Sequence, residues 1–230
     1  MDSANDKLAR RKLVAFTLPM AAFLLLLALR RLLQNVGRAF WLASPEYWIY
    51  PAQTIICGAL LIWFWREYQF GAARRVLFTA AAALLVSALW IAPQELLGFG
   101  PRRDGFNPGI FSGQTAAYWT TIIVRFLRLV VVVPLVEEIF WRGFLLRYFI
   151  NEKFYAVPMG AFSWLSFVVV TVGFGFAHAR ADWIAALIAG ALYNCVAYRT
   201  KSLTSCVLAH AITNLLLGLW IMKTGQWGFW

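Results

Sequence analysis

The stretch VVVPLVEEIFWRGF, residues 131–144, sets two adjacent carboxylates, Glu137 and Glu138, and one guanidinium, Arg142, into an otherwise apolar run. An ionised side chain at the centre of a bilayer costs about 2.5–3.5 kcal/mol on insertion scales, so a sequence that keeps three of them must gain something in return. On a helix, Arg142 lies one turn beyond Glu138 on the same face, which makes a Glu138–Arg142 pair natural. Glu137 points about 100° away from Glu138 and lacks that partner. One glutamate is thus held by a cation and the other is left free to work. Pro134, just upstream, predicts a kink in the helix.

Working outward, the rest of the chain supports a membrane setting. Of 230 residues, 62% are hydrophobic and 13% charged, against roughly half apolar and a quarter charged in soluble domains. The excess falls into blocks long enough to span a bilayer, which takes about 20 apolar residues as helix. The expected fold is therefore all-α, a polytopic transmembrane helix bundle of seven or eight spans. Seven candidates run at about 13–33, 47–65, 76–92, 117–149, 161–177, 183–198 and 203–222. Arg10, Arg11 and Lys12 before the first block resemble a signal peptide, but the block is long and carries no small-residue cleavage site, so a retained helix is expected. A polar, Pro- and Gly-rich loop at 93–115 divides an N-terminal region, 1–116, from a C-terminal helix core, 117–230. Arg125 and Arg128 fall deep in the fourth span. Either that span starts later, behind an amphipathic stretch, or the two arginines lie inside it.

The net charge of +11 comes from short Lys and Arg clusters between apolar blocks, the pattern of cytoplasmic flanks. No basic stripe or stacking platform accompanies it, so nucleic acid is not an expected partner and the lipid bilayer is. With the N-terminus inside, twelve Lys and Arg fall on inner segments (Lys7, Arg10, Arg11, Lys12, Arg66, Arg74, Arg75, Arg142, Arg147, Lys153, Arg199, Lys201). Seven fall outside (Arg30, Arg31, Arg38, Arg102, Arg103, Arg180, Lys223). This favours a cytoplasmic N-terminus and the C-terminus outside, and the expected location is the bacterial inner (plasma) membrane.

Eight of the ten acidic residues, Asp2, Asp6, Glu46, Glu67, Glu95, Asp104, Glu152 and Asp182, sit near termini, loops or span edges. That leaves Glu137 and Glu138. The chain has two histidines. His178 ends the fifth span in FGFAHA, and His210 lies in the seventh, in LAHAITN, with Asn214 one turn further on the same face. Three spans thus carry groups suited to hydrolysis. A carboxylate or imidazole takes a proton from water, the water attacks a carbonyl, and imidazole and amide N–H groups hold the developing oxyanion.

These segments resemble the signature of the CAAX protease and bacteriocin-processing family, the type II CAAX prenyl endopeptidase-like membrane proteins. That signature reads E-E-x-x-x-R, then F-x-x-x-H, then H-x-x-x-N or H-x-x-x-D. Here it is Glu137-Glu138-x-x-x-Arg142, Phe174-x-x-x-His178 and His210-x-x-x-Asn214, in order on successive apolar spans. The resemblance covers about Val130 to Leu217, and the first three spans carry no matching motif. It implies a glutamate-dependent intramembrane endopeptidase acting on a membrane-associated protein or peptide, with no cofactor. Glu137 would be the general base on water, assisted by His178. His210 and Asn214 would stabilise the oxyanion. Glu138 and Arg142 would support the site, with Phe174 packed beside it.

Other readings stand next to this one. Cys206, four residues before His210, is a candidate nucleophile, although cysteine in an apolar span is more often inert packing. Zinc held by His178, His210 and Glu137 or Glu138 is an alternative, without the H-E-x-x-H spacing. A non-enzymatic immunity or assembly factor, or a transporter using Glu137 and Glu138 as a proton relay, fits the same helices.

Overall fold

A computed structural model describes residues 2–34 and 36–230, with side chains described from Asp6 onward. Asp2, one of the acidic residues near the termini, has its side chain outside the described residues. Among the described residues there is no strand, and seven helices account for the spans: α1 (Asp2–Leu33), α2 (Glu46–Trp63), α3 (Val76–Leu96), α4 (Thr115–Tyr148), α5 (Trp164–Phe176), α6 (Trp183–Thr200) and α7 (Leu203–Thr224). Five of these, α1, α3, α4, α6 (counted from Arg180) and α7, are long and apolar enough to cross a membrane. Helix α5 is apolar but has 13 residues. The all-helical bundle expected from the sequence is therefore present.

The surface supports the same conclusion. Leu77, Trp63, Ile184, Ile62 and Trp164 are each more than 70% exposed. Apolar side chains on this scale face outward when the surrounding solvent is itself apolar. The interior is inverted accordingly, with Arg142, Glu138, Gln53, Asn194 and Ser166 fully buried.

Some helix limits differ from the sequence expectation. Helix α1 starts at Asp2, well before the apolar block. Its basic turn is held because Arg11 and Lys12 both pair with Glu67, at 2.7 and 3.1 Å, and Lys12 also donates to the Glu67 carbonyl. Helix α3 continues through Pro93 to Leu96 rather than ending at Ala92, because proline removes one N–H from the ladder without stopping the turn that follows. In α4, Pro134 is accommodated by a wide π-helical segment just before it, Arg128–Val132. A second such segment, Ile139–Leu145, follows the two glutamates. Wider turns of this kind make room where a proline ring would strike the carbonyl four residues back, and they recur at functional sites.

Helix ends follow ordinary capping chemistry. The Ser163 hydroxyl accepts from Ser166 N at the start of α5, and the Ser202 hydroxyl accepts from Ser205 N at the start of α7. Gly225, at φ 66°, closes α7 in the left-handed conformation. Helix α7 packs against α3, α4 and α6, and α5 pairs with α6. The α5–α6 approach is close: a Cβ added at Gly190 would lie 3.2 Å from the Thr171 carbonyl oxygen, and one at Gly175 would lie 2.5 Å from Leu187 Cδ2.

The loop after α3 contains one 3-10 turn, Pro108–Phe111, capped by Asn107. The loop is pinned at Arg102, whose guanidinium bonds both carboxylate oxygens of Asp182, at 2.5 and 3.2 Å, and the Gly228 carbonyl at 2.9 Å.

Candidate active site

Glu138 and Arg142 lie on α4 and meet at 3.0 Å, both wholly buried. The rest of the Arg142 fork is used as well. Nε donates to Asn194 Oδ1 at 3.1 Å and Nη2 donates to the Gly190 carbonyl at 3.0 Å, both on α6. Its guanidinium carbon sits 4.8 Å from the centre of the Phe174 ring and 5.3 Å from that of Tyr193. Asn194 turns its own amide to Thr171 Oγ1 on α5, at 3.1 Å. A single buried arginine thus joins α4 to α6, and Asn194 extends the chain of bonds to α5. Gly190 serves twice, since its lack of a side chain admits α5 and its carbonyl receives Arg142.

Glu138 also reaches α7. Its Oε1 lies 2.9 Å from His210 Nδ1. A carboxylate can only accept, so Nδ1 carries the proton and Nε2 is the nitrogen left for other use. The His210 ring stacks on Tyr193, with centroids 5.2 Å apart and planes 25° from parallel, which fixes its tilt. His178 is set in a similar way at the end of α5. Its Nδ1 is 2.8 Å from the Phe174 carbonyl oxygen, so there too Nδ1 donates, and Nε2 has no hydrogen-bond partner among the described residues. Phe174 and Trp90 flank the imidazole, with centroids at 4.7 and 5.5 Å.

Glu137 stands apart from this network. It is 8% exposed, and its Oε2 is buried with no hydrogen-bond partner among the described residues. It lines a cavity of about 230 Å³ together with His178, His210 and Asn214. The four residues singled out as catalytic in the sequence therefore share one space, while Glu138 and Arg142 lie behind its wall and Phe174 forms part of it. Asn214 is anchored by Nδ2 donating to the Leu129 carbonyl at 2.8 Å. One amide N–H and the amide oxygen remain for a ligand.

Cys206 is fully buried with its thiol 3.3 Å from the Ser202 carbonyl, and it is not among the residues lining the cavity. Among the described residues, no three of His, Cys, Asp and Glu are grouped to hold a metal ion.

Several residues at the site were not singled out in the sequence. Asn194 is the chief one; its signal was a carboxamide within the apolar run of α6. Tyr50, from α2, and Trp90, from α3, line the cavity although their spans carry no motif. Arg125 and Arg128 also line it, 3% and 5% exposed. Of the two placements left open for them, the structure has both inside a continuous α4 and turned to the bundle interior.

Residues 119–216 match the family model described as type II CAAX prenyl endopeptidase Rce1-like. The matched segment runs from α4 into α7 and contains all seven positions of the motif signature. No curated protein and no solved structure matches the chain.

Proposed function

We propose, from that likeness and from the shared cavity, that the protein is a membrane-embedded endopeptidase that hydrolyses a peptide bond of a membrane-associated protein or peptide with Glu137 as its general base. The observation that carries this reading is the unpartnered Glu137 carboxylate facing the same space as two imidazoles and a carboxamide. A buried carboxylate without a partner is costly, and its retention is what a base awaiting water requires.

The reaction follows from the side chains. Glu137 takes a proton from a water molecule as the water oxygen bonds to the scissile carbonyl carbon. His178 Nε2 accepts the water's other proton in a hydrogen bond and orients the attack. The carbonyl electron pair moves onto oxygen, where Asn214 N–H and His210 Nε2–H donate to the oxyanion. Because His210 Nδ1–H is already given to Glu138, His210 donates through Nε2 only as imidazolium, and Glu138 is its counter-charge. The intermediate collapses as the C–N bond breaks. The leaving nitrogen takes the proton that Glu137 holds, giving a new carboxylic acid and a free amine, with Glu137 again a carboxylate. Arg142 holds Glu138 in place at 3.0 Å, so its part is positional. No step needs a cofactor. The charge distribution favours an orientation with the N-terminus cytoplasmic.

Substitution tests this directly. Glu137→Ala, His178→Ala and His210→Ala each abolish cleavage of a membrane substrate, seen as loss of a shortened product in the membrane proteome, while the variants still insert. Full cleavage by Glu137→Ala defeats the reading. Proton-coupled uptake into vesicles without any cleaved product would assign the same carboxylates to transport.

A further inference from the structure

The cavity has a second end that hydrolysis does not use. Arg128 and Arg125 line it, about two and a half and just over three turns back along α4 from the base. Arg125 is 3% exposed, and its Nε and Nη1 find no hydrogen-bond acceptor among the described residues. Arg128 spends one donor, Nε, on Gln53 Oε1 at 2.6 Å. Arg30 on α1 is not among the lining residues, and its Nη1 donates to the hydroxyl of the lining Tyr50 at 2.6 Å.

Among the described residues, none of these three cations forms an ion pair. Aromatic faces surround them instead. The Arg125 guanidinium carbon lies 4.5 Å from the Tyr50 centroid and 4.9 and 5.5 Å from those of Phe106 and Trp230. That of Arg128 lies 4.4 Å from Tyr50 and 5.3 Å from Phe23. Ring faces offset part of the charge but accept none of the in-plane N–H bonds. The guanidinium fork therefore remains open, and its geometry matches a carboxylate in the bidentate manner.

We propose that Arg125 and Arg128 form an anion subsite that takes a carboxylate of the peptide substrate and thereby sets which bond reaches Glu137. The proposal rests on the protease reading. Arg128 precedes Glu137 by nine residues on one helical run, which at about 1.5 Å per residue sets their backbones roughly 13 Å apart along the axis. An extended peptide covers that distance in about four residues. A carboxylate held by the arginines therefore fixes the register of the chain across the base. The carboxylate is either the peptide's own C-terminus or an Asp or Glu side chain.

The test reads binding in the full chain carrying Glu137→Gln, in detergent, so that no turnover interferes. Three probes are titrated: acetyl-trileucine with a free C-terminus, acetyl-trileucine amide, and acetyl-Leu-Leu-Asp amide. At least one carboxylate probe is expected to bind about ten-fold or more tighter than trileucine amide, and the tighter of the two identifies the source of the carboxylate. Adding Arg125→Gln removes the gap; Arg125→Lys, which keeps the charge, restores part of it. Equal affinity for acid and amide overturns the proposal, and this comparison needs no arginine variant. So does a gap that persists when both arginines are glutamine. Equal affinity together with tight binding of dihexanoyl phosphatidylglycerol gives the arginines to a lipid headgroup and also overturns it. A gap found in a protein whose unsubstituted form cleaves nothing keeps the subsite and removes the protease, whereas cleavage without a gap does the reverse.

Discussion

Replacing Arg142 with methionine isolates the buried network from the chemistry it supports. Methionine fills similar apolar volume but deletes three hydrogen bonds, to Glu138, Asn194 and the Gly190 carbonyl. It also strands Glu138, which has no exposure through which water could compensate. Removing one partner of a buried ion pair costs about 3–5 kcal/mol. For a chain of this length about 1 kcal/mol corresponds to roughly 2–4 °C in Tm, so a loss of roughly 6–20 °C is expected. Glu138→Gln keeps an acceptor for Arg142 and removes the charge, so it costs less, about 1–3 kcal/mol. In the double variant neither member of the Glu138–Arg142 pair is left charged without the other, and its loss falls short of the sum of the single losses by about 2 kcal/mol. The assay is thermal unfolding of the purified protein in one detergent, with cleavage followed in parallel. The double variant loses less stability than the single variants summed, and it lacks activity, because His210 has lost the carboxylate proposed as its counter-charge. Single losses that simply add, or an Arg142→Met loss below about 1 kcal/mol, would refute a coupled buried pair.

Asn214→Ala removes one of the two proposed oxyanion donors and should lower kcat by about 10²–10³-fold, with Tm changing by a few degrees at most; an unchanged kcat removes Asn214 from the proposed site. Treatment with EDTA or 1,10-phenanthroline should leave cleavage intact. Activity lost to the chelator and restored by zinc would replace the cofactor-free mechanism with a metal-assisted one. Gly190→Ala drives a Cβ to 3.2 Å from the Thr171 carbonyl and should destabilise by about 1–3 kcal/mol through strain between α5 and α6, read as a fall in Tm.

How far the sequence reaches can be judged residue by residue. Glu137, Glu138, His178 and His210 are legible because each is an ionisable group in an apolar run, where its presence calls for a reason. The geometry of Glu138 and Arg142 is legible because both lie on one helix, where spacing fixes the face. Asn194 and Tyr193 are not, because their contacts with Arg142 and His210 cross between helices and no spacing within α6 encodes them. Arg125 and Arg128 could not be assigned a direction, since whether a cation turns inward depends on what α1, α2 and the C-terminal residues offer it. The π-helical segments flanking the glutamates also escape the sequence. Pro134 signals a disturbance in the ladder, but not whether it resolves as a bend or as a wider turn.

The brevity of α5 bears on where water comes from. Thirteen residues reach about 20 Å at 1.5 Å per residue, against a hydrocarbon layer of about 30 Å. A bilayer adjusts to a short helix by thinning beside it, drawing headgroups and their hydration inward. His178 sits just past the end of that helix. Hydrolysis inside a membrane must be supplied with its second substrate, and on this account the lipid itself, deformed by a helix too short for it, brings water down to the imidazole that would orient it.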